Sequence, residues 1–186
     1  MTKGQLDQLD DHYLALGRFA AQFATTEVAI FGLMVSLSGI DPKLGPAVFG
    51  SMKVDGCIAT IRRLSEARDE PLNPAIEKSL VHLKQISEVR NAILHYGTAH
   101  DIDSPAPSPT ARSGHSDRAK IFDVSVSAID ALTRDVTDIG VLFLLYPARH
   151  VQPDIFRDHS RTISEGSWLY RPPPQASKGR RRQLPR

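Results

Sequence analysis

The chain has 186 residues, 41% of them hydrophobic and 24% charged, an ordinary composition for a globular domain with its own core and no need of staples. A single cysteine, Cys57, excludes an internal disulfide and any cysteine-rich metal site. The net charge of +2 is unevenly placed: six cations and no acid occur from Arg171 onward, which leaves residues 1–170 at −4, so a grip on nucleic acid over the whole surface is not expected.

The first residues are polar and show no secretory signal. The longest apolar runs, Val28 to Leu37 and Gly140 to Tyr146, are too short to span a bilayer. A cytoplasmic protein with no membrane contact is the expectation. Residues Leu6 to Leu37 read as one long helix, with Leu9, Tyr13, Leu16, Phe19, Phe23, Ile30, Met34 and Leu37 recurring at threes and fours. Glu27 falls on that stripe. It either reaches solvent at the edge of the face or meets a buried cation, with Arg90 and His95 as candidates. Gly39 and Pro42 end the helix.

A second helix is predicted from about Pro46 to Arg68, with Val48, Met52, Ile58, Ile61 and Leu64 as its face. Gly50 and Gly56 within it read as points of close helix approach. Cys57 reads as a small core residue. After the break at Pro71, Asn73 before Pro74 is an N-cap followed by proline at the first helical position. The third helix runs to about Tyr96, with Ile76, Leu80, Leu83 and Ile93 on its stripe and Gly97 as C-cap.

Residues 98–120 form a Pro/Ser-rich loop insertion. His100, Asp101, Asp103 and His115 lie in or beside it without the spacing of a dedicated metal site, so no metal and no cofactor are expected. Lys120 to Val124 reads as a short strand, paired with residues near Ala99 to Ile102. Ser125 or Ser127 caps a fourth helix that stops before Pro147. Residues 148–186 are a C-terminal extension in which Trp168-Leu169-Tyr170 serves as a hydrophobic anchor and a flexible basic tail begins at about Arg171.

The end of the third helix carries the densest polar set: Arg90-Asn91-Ala92-Ile93-Leu94-His95-Tyr96 among core positions. Metal-free RNA cleavage needs an acid and base, charge stabilisation and orientation. Histidine suits the first role, arginine's planar fork the second and asparagine the third. Asn91 and His95 share a helix face, whereas Arg90 and His95 lie roughly 140° apart around it. Taken singly, each residue also has a plain structural use: Arg90 as partner of Glu27, His95 as complement to the helix dipole.

The pattern Arg-Asn-x-x-x-His at a helix end resembles the signature of HEPN domains, and the resemblance covers about residues 6 to 146. It implies an all-α antiparallel bundle of four main helices, residues 1–147. It further implies a metal-independent endoribonuclease of toxin–antitoxin, stress or phage defence, with RNA as substrate and an antitoxin or other neutralising protein as a possible partner. Arg90, Asn91 and His95 would form the site, with Tyr96 and Glu27 in support. A homodimer would bring two copies of the motif into one composite active site, which removes the angular difficulty. In one branch of the family a tyrosine sits two residues after the histidine; here that position is Gly97. The alternative is a catalytically inactive HEPN-like dimer that binds a nucleotide, RNA or protein partner.

Overall fold

A computed structural model describes residues 3–98, 110–113 and 120–172. The described residues form six helices and one hairpin: α1 (Lys3–Ser38), α2 (Gly45–Phe49), α3 (Val54–Ala67), α4 (Pro74–Tyr96), β1 (Thr110–Ser113), β2 (Lys120–Asp123), α5 (Val126–Leu145) and α6 (Pro153–Glu165). The fold is therefore all-α in character, as the periodicity requires.

Helix α1 buries Ala15, Phe19, Phe23, Thr26, Ile30, Leu33, Met34 and Leu37, a run of threes and fours that lays one continuous stripe on the core. The stripe sits one residue away from the expected one near the start. His12 is buried there and Tyr13 is exposed. By length and composition α1 could also cross a membrane; a window reaching beyond Val28 supplies the apolar content that the shorter run lacked. The inner half of that content packs against α5 and α3.

The expected second helix is broken. Residues 50–53 separate α2 from α3, and the Gly50 N–H closes back on Pro46 O at 3.0 Å. Gly50 marks a chain turn rather than a helix crossing, because a Cβ there would collide with the Pro46 carbonyl. Val48 and Met52, expected on the core face, lie exposed beside the break. In α3, Cys57, Ile58 and Ile61 are buried as expected.

Caps fall where the sequence places them. The Asn73 side chain accepts the Ala75 N–H, the Ser125 hydroxyl accepts the Ala128 N–H, and Gly97 ends α4 at φ +67° with its N–H on Ile93 O. The left-handed φ is the reason glycine occupies that position. The strand at Lys120–Asp123 forms, but its partner is Thr110–Ser113, antiparallel, with Ala111 opposite Phe122. Part of the expected loop is thus a strand, and the expected partner Ala99–Ile102 lies outside the described residues. The hairpin packs on α4, and Phe122 and Val124 enter the core.

The principal packing pair is α1 with α5. Their direction follows from three levels of contact. Leu14 and Arg18 share a cleft with Val126 and Asp130, the Thr26 hydroxyl donates to Val136 O at 2.9 Å, and Phe31 and Val35 share a cleft with Pro147. Both numberings rise together, so the pair is parallel. In an up-and-down four-helix bundle the first and last helices would be antiparallel. Helix α4 crosses this pair. His82 meets Asp135 on α5, and eight residues on, about 12 Å along the axis, Arg90 lies over Phe23 of α1. Both contacts sit within a turn of the Thr26–Val136 level.

The α1/α5 crossing is tight because Gly140 has no side chain. A Cβ there would stand 2.8 Å from Thr26 Oγ1, which is held by its bond to Val136 O. Gly140→Ala is expected to cost about 1–3 kcal/mol, read as a lowered denaturation midpoint. Combined with Thr26→Ala it should cost less than the sum of the two single changes, because the clash is then gone.

Candidate functional site

Helix α4 presents two different ends. Its buried face, Ile76, Leu80, Leu83, Ile86, Val89 and Ala92, fixes the rotation of the helix and so decides which way each polar side chain points. Asn91 and His95 emerge on the exposed side, with Leu94 59% exposed between them. Arg90 is half-buried and points the other way, its guanidinium 5.3 Å from the centre of the Phe23 ring. The angular separation of Arg90 from His95 expected from helix pitch is present. Arg90 and Asn91 are nevertheless joined: Nη1 donates to Asn91 Oδ1 at 3.1 Å. Phe23 below and Asn91 beside it hold a fork that otherwise has many rotamers.

Glu27 is half-buried, and its charge acts on Cys57 of α3. Arg90 takes Phe23 and Asn91 as its neighbours. The edge-of-stripe reading of Glu27 is the one the geometry favours. Burial pushes the Cys57 thiol up; a backbone hydrogen bond opposes this and the Glu27 carboxylate adds to it. A thiol kept protonated is a poor nucleophile, consistent with a core residue. The side chain of Tyr96 lies outside the described residues, as do His100, Asp101, Asp103 and His115. Among the described residues no group of three or more His, Cys, Asp or Glu side chains is placed to hold a metal.

A second polar cluster escaped the reading of the sequence. His82 Nε2 donates to Asp135 Oδ2 at 2.9 Å, and both side chains are almost fully buried. Asp135 also accepts the Leu169 N–H at 3.0 Å and the Tyr170 N–H at 2.8 Å. The His82 ring stacks on Trp168, centroids 4.5 Å apart and planes at 9°. Lys78 Nζ reaches the carbonyls of Ile163, Ser164 and Gly166 at 2.6, 3.0 and 2.6 Å, neutralising the negative end of α6. A signal for this cluster was present. His82 and Asp135 both fall on apolar stripes, and a buried polar side chain requires a partner.

The set is an anchor rather than a catalytic triad. Ser79, one turn before His82, is buried with a hydroxyl that makes no hydrogen bond among the described residues. The second ring nitrogen of His82 faces the Gln85 side-chain amide at 3.2 Å, and Trp168 covers one face of the ring. A nucleophile–base bond, which acyl transfer needs, is not formed. Tyr170 itself is buried, and burial, with Asp123 contributing, pushes its phenol up to about 12. In the unfolded chain a tyrosine ionises near 10. The native state therefore holds the proton longer, and the stability it confers is complete below about pH 10 and is lost as pH rises toward 12. Absorbance at 295 nm should show one late-titrating tyrosine, absent in Tyr170→Phe.

Comparison of the chain with protein-family models, with curated proteins and with solved structures finds no match.

The site is thus defined by its own geometry. The two clefts that lie at the ends of the α1/α5 pair, of about 350 and 420 Å³, are lined by neither Arg90, Asn91 nor His95. The motif occupies an open surface at the end of α4. What it offers chemically is a fixed guanidinium, an amide that orients it, and an imidazole one turn further on, accessible to a large substrate.

Proposed function

We propose that the protein is a metal-independent endoribonuclease of HEPN type, acting as a homodimer in stress, toxin–antitoxin or phage defence. The observation that carries the reading is the Arg90–Asn91 pair held on Phe23 in an Arg-Asn-x-x-x-His motif whose Asn91 and His95 both face solvent. His95 serves as acid and base at the 2′-oxygen and the leaving 5′-oxygen. Arg90 neutralises the charge gathering on the phosphorane, and Asn91 holds Arg90 in place. A backbone phosphate is a large, exposed target, which suits an open surface better than a closed pocket. Two copies of α4 facing each other would place each Arg90 with the other chain's His95, and the exposed Leu94 supplies apolar area for such a contact. The reading rests on the motif and not on an antiparallel four-helix layout, since α1 and α5 run parallel.

The test is incubation of purified protein with a mixed-sequence RNA in EDTA, beside His95→Ala and Arg90→Ala. Cleavage that resists EDTA and disappears in both variants is the expected result. Cleavage that survives both, or that needs a divalent ion, would sink the reading. Absence of cleavage by the unaltered chain, with a dimer still present by light scattering, would favour the inactive HEPN-like binding module.

A further inference from the structure

The last described part of the chain is attached to the body in an unusual way. Helix α6 buries few side chains: Ile163 and Ser160, with Phe156 half-buried against Tyr146. Residues 167–172 have no regular structure, yet Tyr170 is 3% exposed. Besides these apolar contacts, to which Trp168 adds its ring, residues 153–170 are held by a set of polar contacts to the body. Lys78 gathers the three carbonyls at the end of α6. Asp135 takes two consecutive N–H groups, Leu169 and Tyr170. His82 supports Asp135 and stacks on Trp168, and His159 of α6 makes a 2.9 Å hydrogen bond to Asp138 O.

We propose that residues 153–172 form a polar-latched strap that opens as a unit from an otherwise intact body of α1, α3, α4 and α5. Two features support this. The α1/α5 packing does not involve α6, and of the strap only Ile163 and Tyr170 join the core, with Phe156 and Trp168 packed at its edge. The groups that the strap would leave behind are also ones that water can satisfy: a carboxylate, an imidazole, an ammonium and the hydroxyl of Ser79. A segment that places only Ile163 and Tyr170 in the core and relies otherwise on polar contacts belongs nearer the low-stability end of a fold than α1 and α5 do. Opening uncovers a polar groove between α4 and α5, floored by Asp135 and His82. The cation-rich sequence begins at Arg171, directly after the clasp.

The proposal is independent of ribonuclease activity and is tested without it. Trp168 is the only tryptophan and sits in the clasp, so its emission reports opening directly. Amide hydrogen exchange supplies the second measurement, with Leu169 and Tyr170 as strap probes and Leu33 and Ile139 as body probes. In the unaltered protein the strap amides should exchange faster than the body amides. Asp135→Asn and Lys78→Met should each accelerate strap exchange by about ten- to a hundred-fold, shift Trp168 emission to the red, and leave the body amides unchanged. Lys78→Met keeps an aliphatic stem on a half-buried position, so it serves where Asp135→Asn fails to fold. Equal exchange of strap and body amides in the unaltered chain, or equal acceleration of both by Lys78→Met, would overturn the strap as a separate unit.

Discussion

His95→Ala is expected to slow RNA cleavage in EDTA by about 10²- to 10⁴-fold, the range lost with a general acid or base. Its denaturation midpoint should stay close to that of the parent, because His95 is exposed and surface substitutions rarely change stability by more than about 0.5 kcal/mol. Arg90→Lys gives a sharper comparison. The charge remains, but the planar fork that meets both Asn91 Oδ1 and a phosphate oxygen does not. It should bind RNA nearly normally and cleave it slowly. Together the two variants separate charge attraction from transition-state stabilisation. A protein that merely binds RNA would lose affinity with Arg90→Ala and show no cleavage to lose.

Phe23→Ala is expected to have the largest effect on stability. The ring is 2% exposed, in the middle of α1, tilted against Phe19 at 6.0 Å. Removing it leaves a cavity at the point where α4 crosses the α1/α5 pair, and truncation of a buried phenylalanine costs about 3–5 kcal/mol. For a chain of this size that lowers the thermal midpoint by roughly 6–20 °C, measurable by circular dichroism at 222 nm. Phe23→Leu isolates the second role of the ring. Most of the volume stays, while the π face beneath the Arg90 guanidinium is removed. A contact worth about 0.5–1 kcal/mol should then appear as a two- to five-fold loss of cleavage with nearly normal folding. An unchanged rate in Phe23→Leu would show that Asn91 alone orients Arg90.

The helices were legible wherever apolar spacing and a cap coincided. Asn73-Pro74, Ser125 and Gly97 each mark an element end to within a residue or two. Helix α6, strand β1 and the break between α2 and α3 were not legible. Helix α6 offers only Ile155, Phe156 and Ile163 as apolar markers, and Pro153 reads as a breaker although it stands in the first turn, where proline is favoured. The break between α2 and α3 was hidden because Gly50 and Gly56 are alike in sequence. Only at Gly50 does the backbone close on Pro46. In the motif, the rotation of Arg90 away from His95 followed from helix pitch alone. Phe23 as the seat of Arg90 did not, because the two lie on different helices and nothing local couples them.

By itself the sequence determined that the protein is helical, which face of each long helix is buried, where α4 begins and ends, and that Arg90, Asn91 and His95 stand together near that end. These are matters of spacing and capping within one or two turns, and the energies that decide them are local. The tertiary structure alone decided that α1 and α5 run parallel and that α4 crosses them. It alone joined His82 to Asp135, 53 residues apart, and seated Trp168 to Tyr170 on that pair. The physical reason is that a buried polar group announces only that it needs a partner. Which partner it finds depends on how the chain closes its long loops, and no local spacing carries that information.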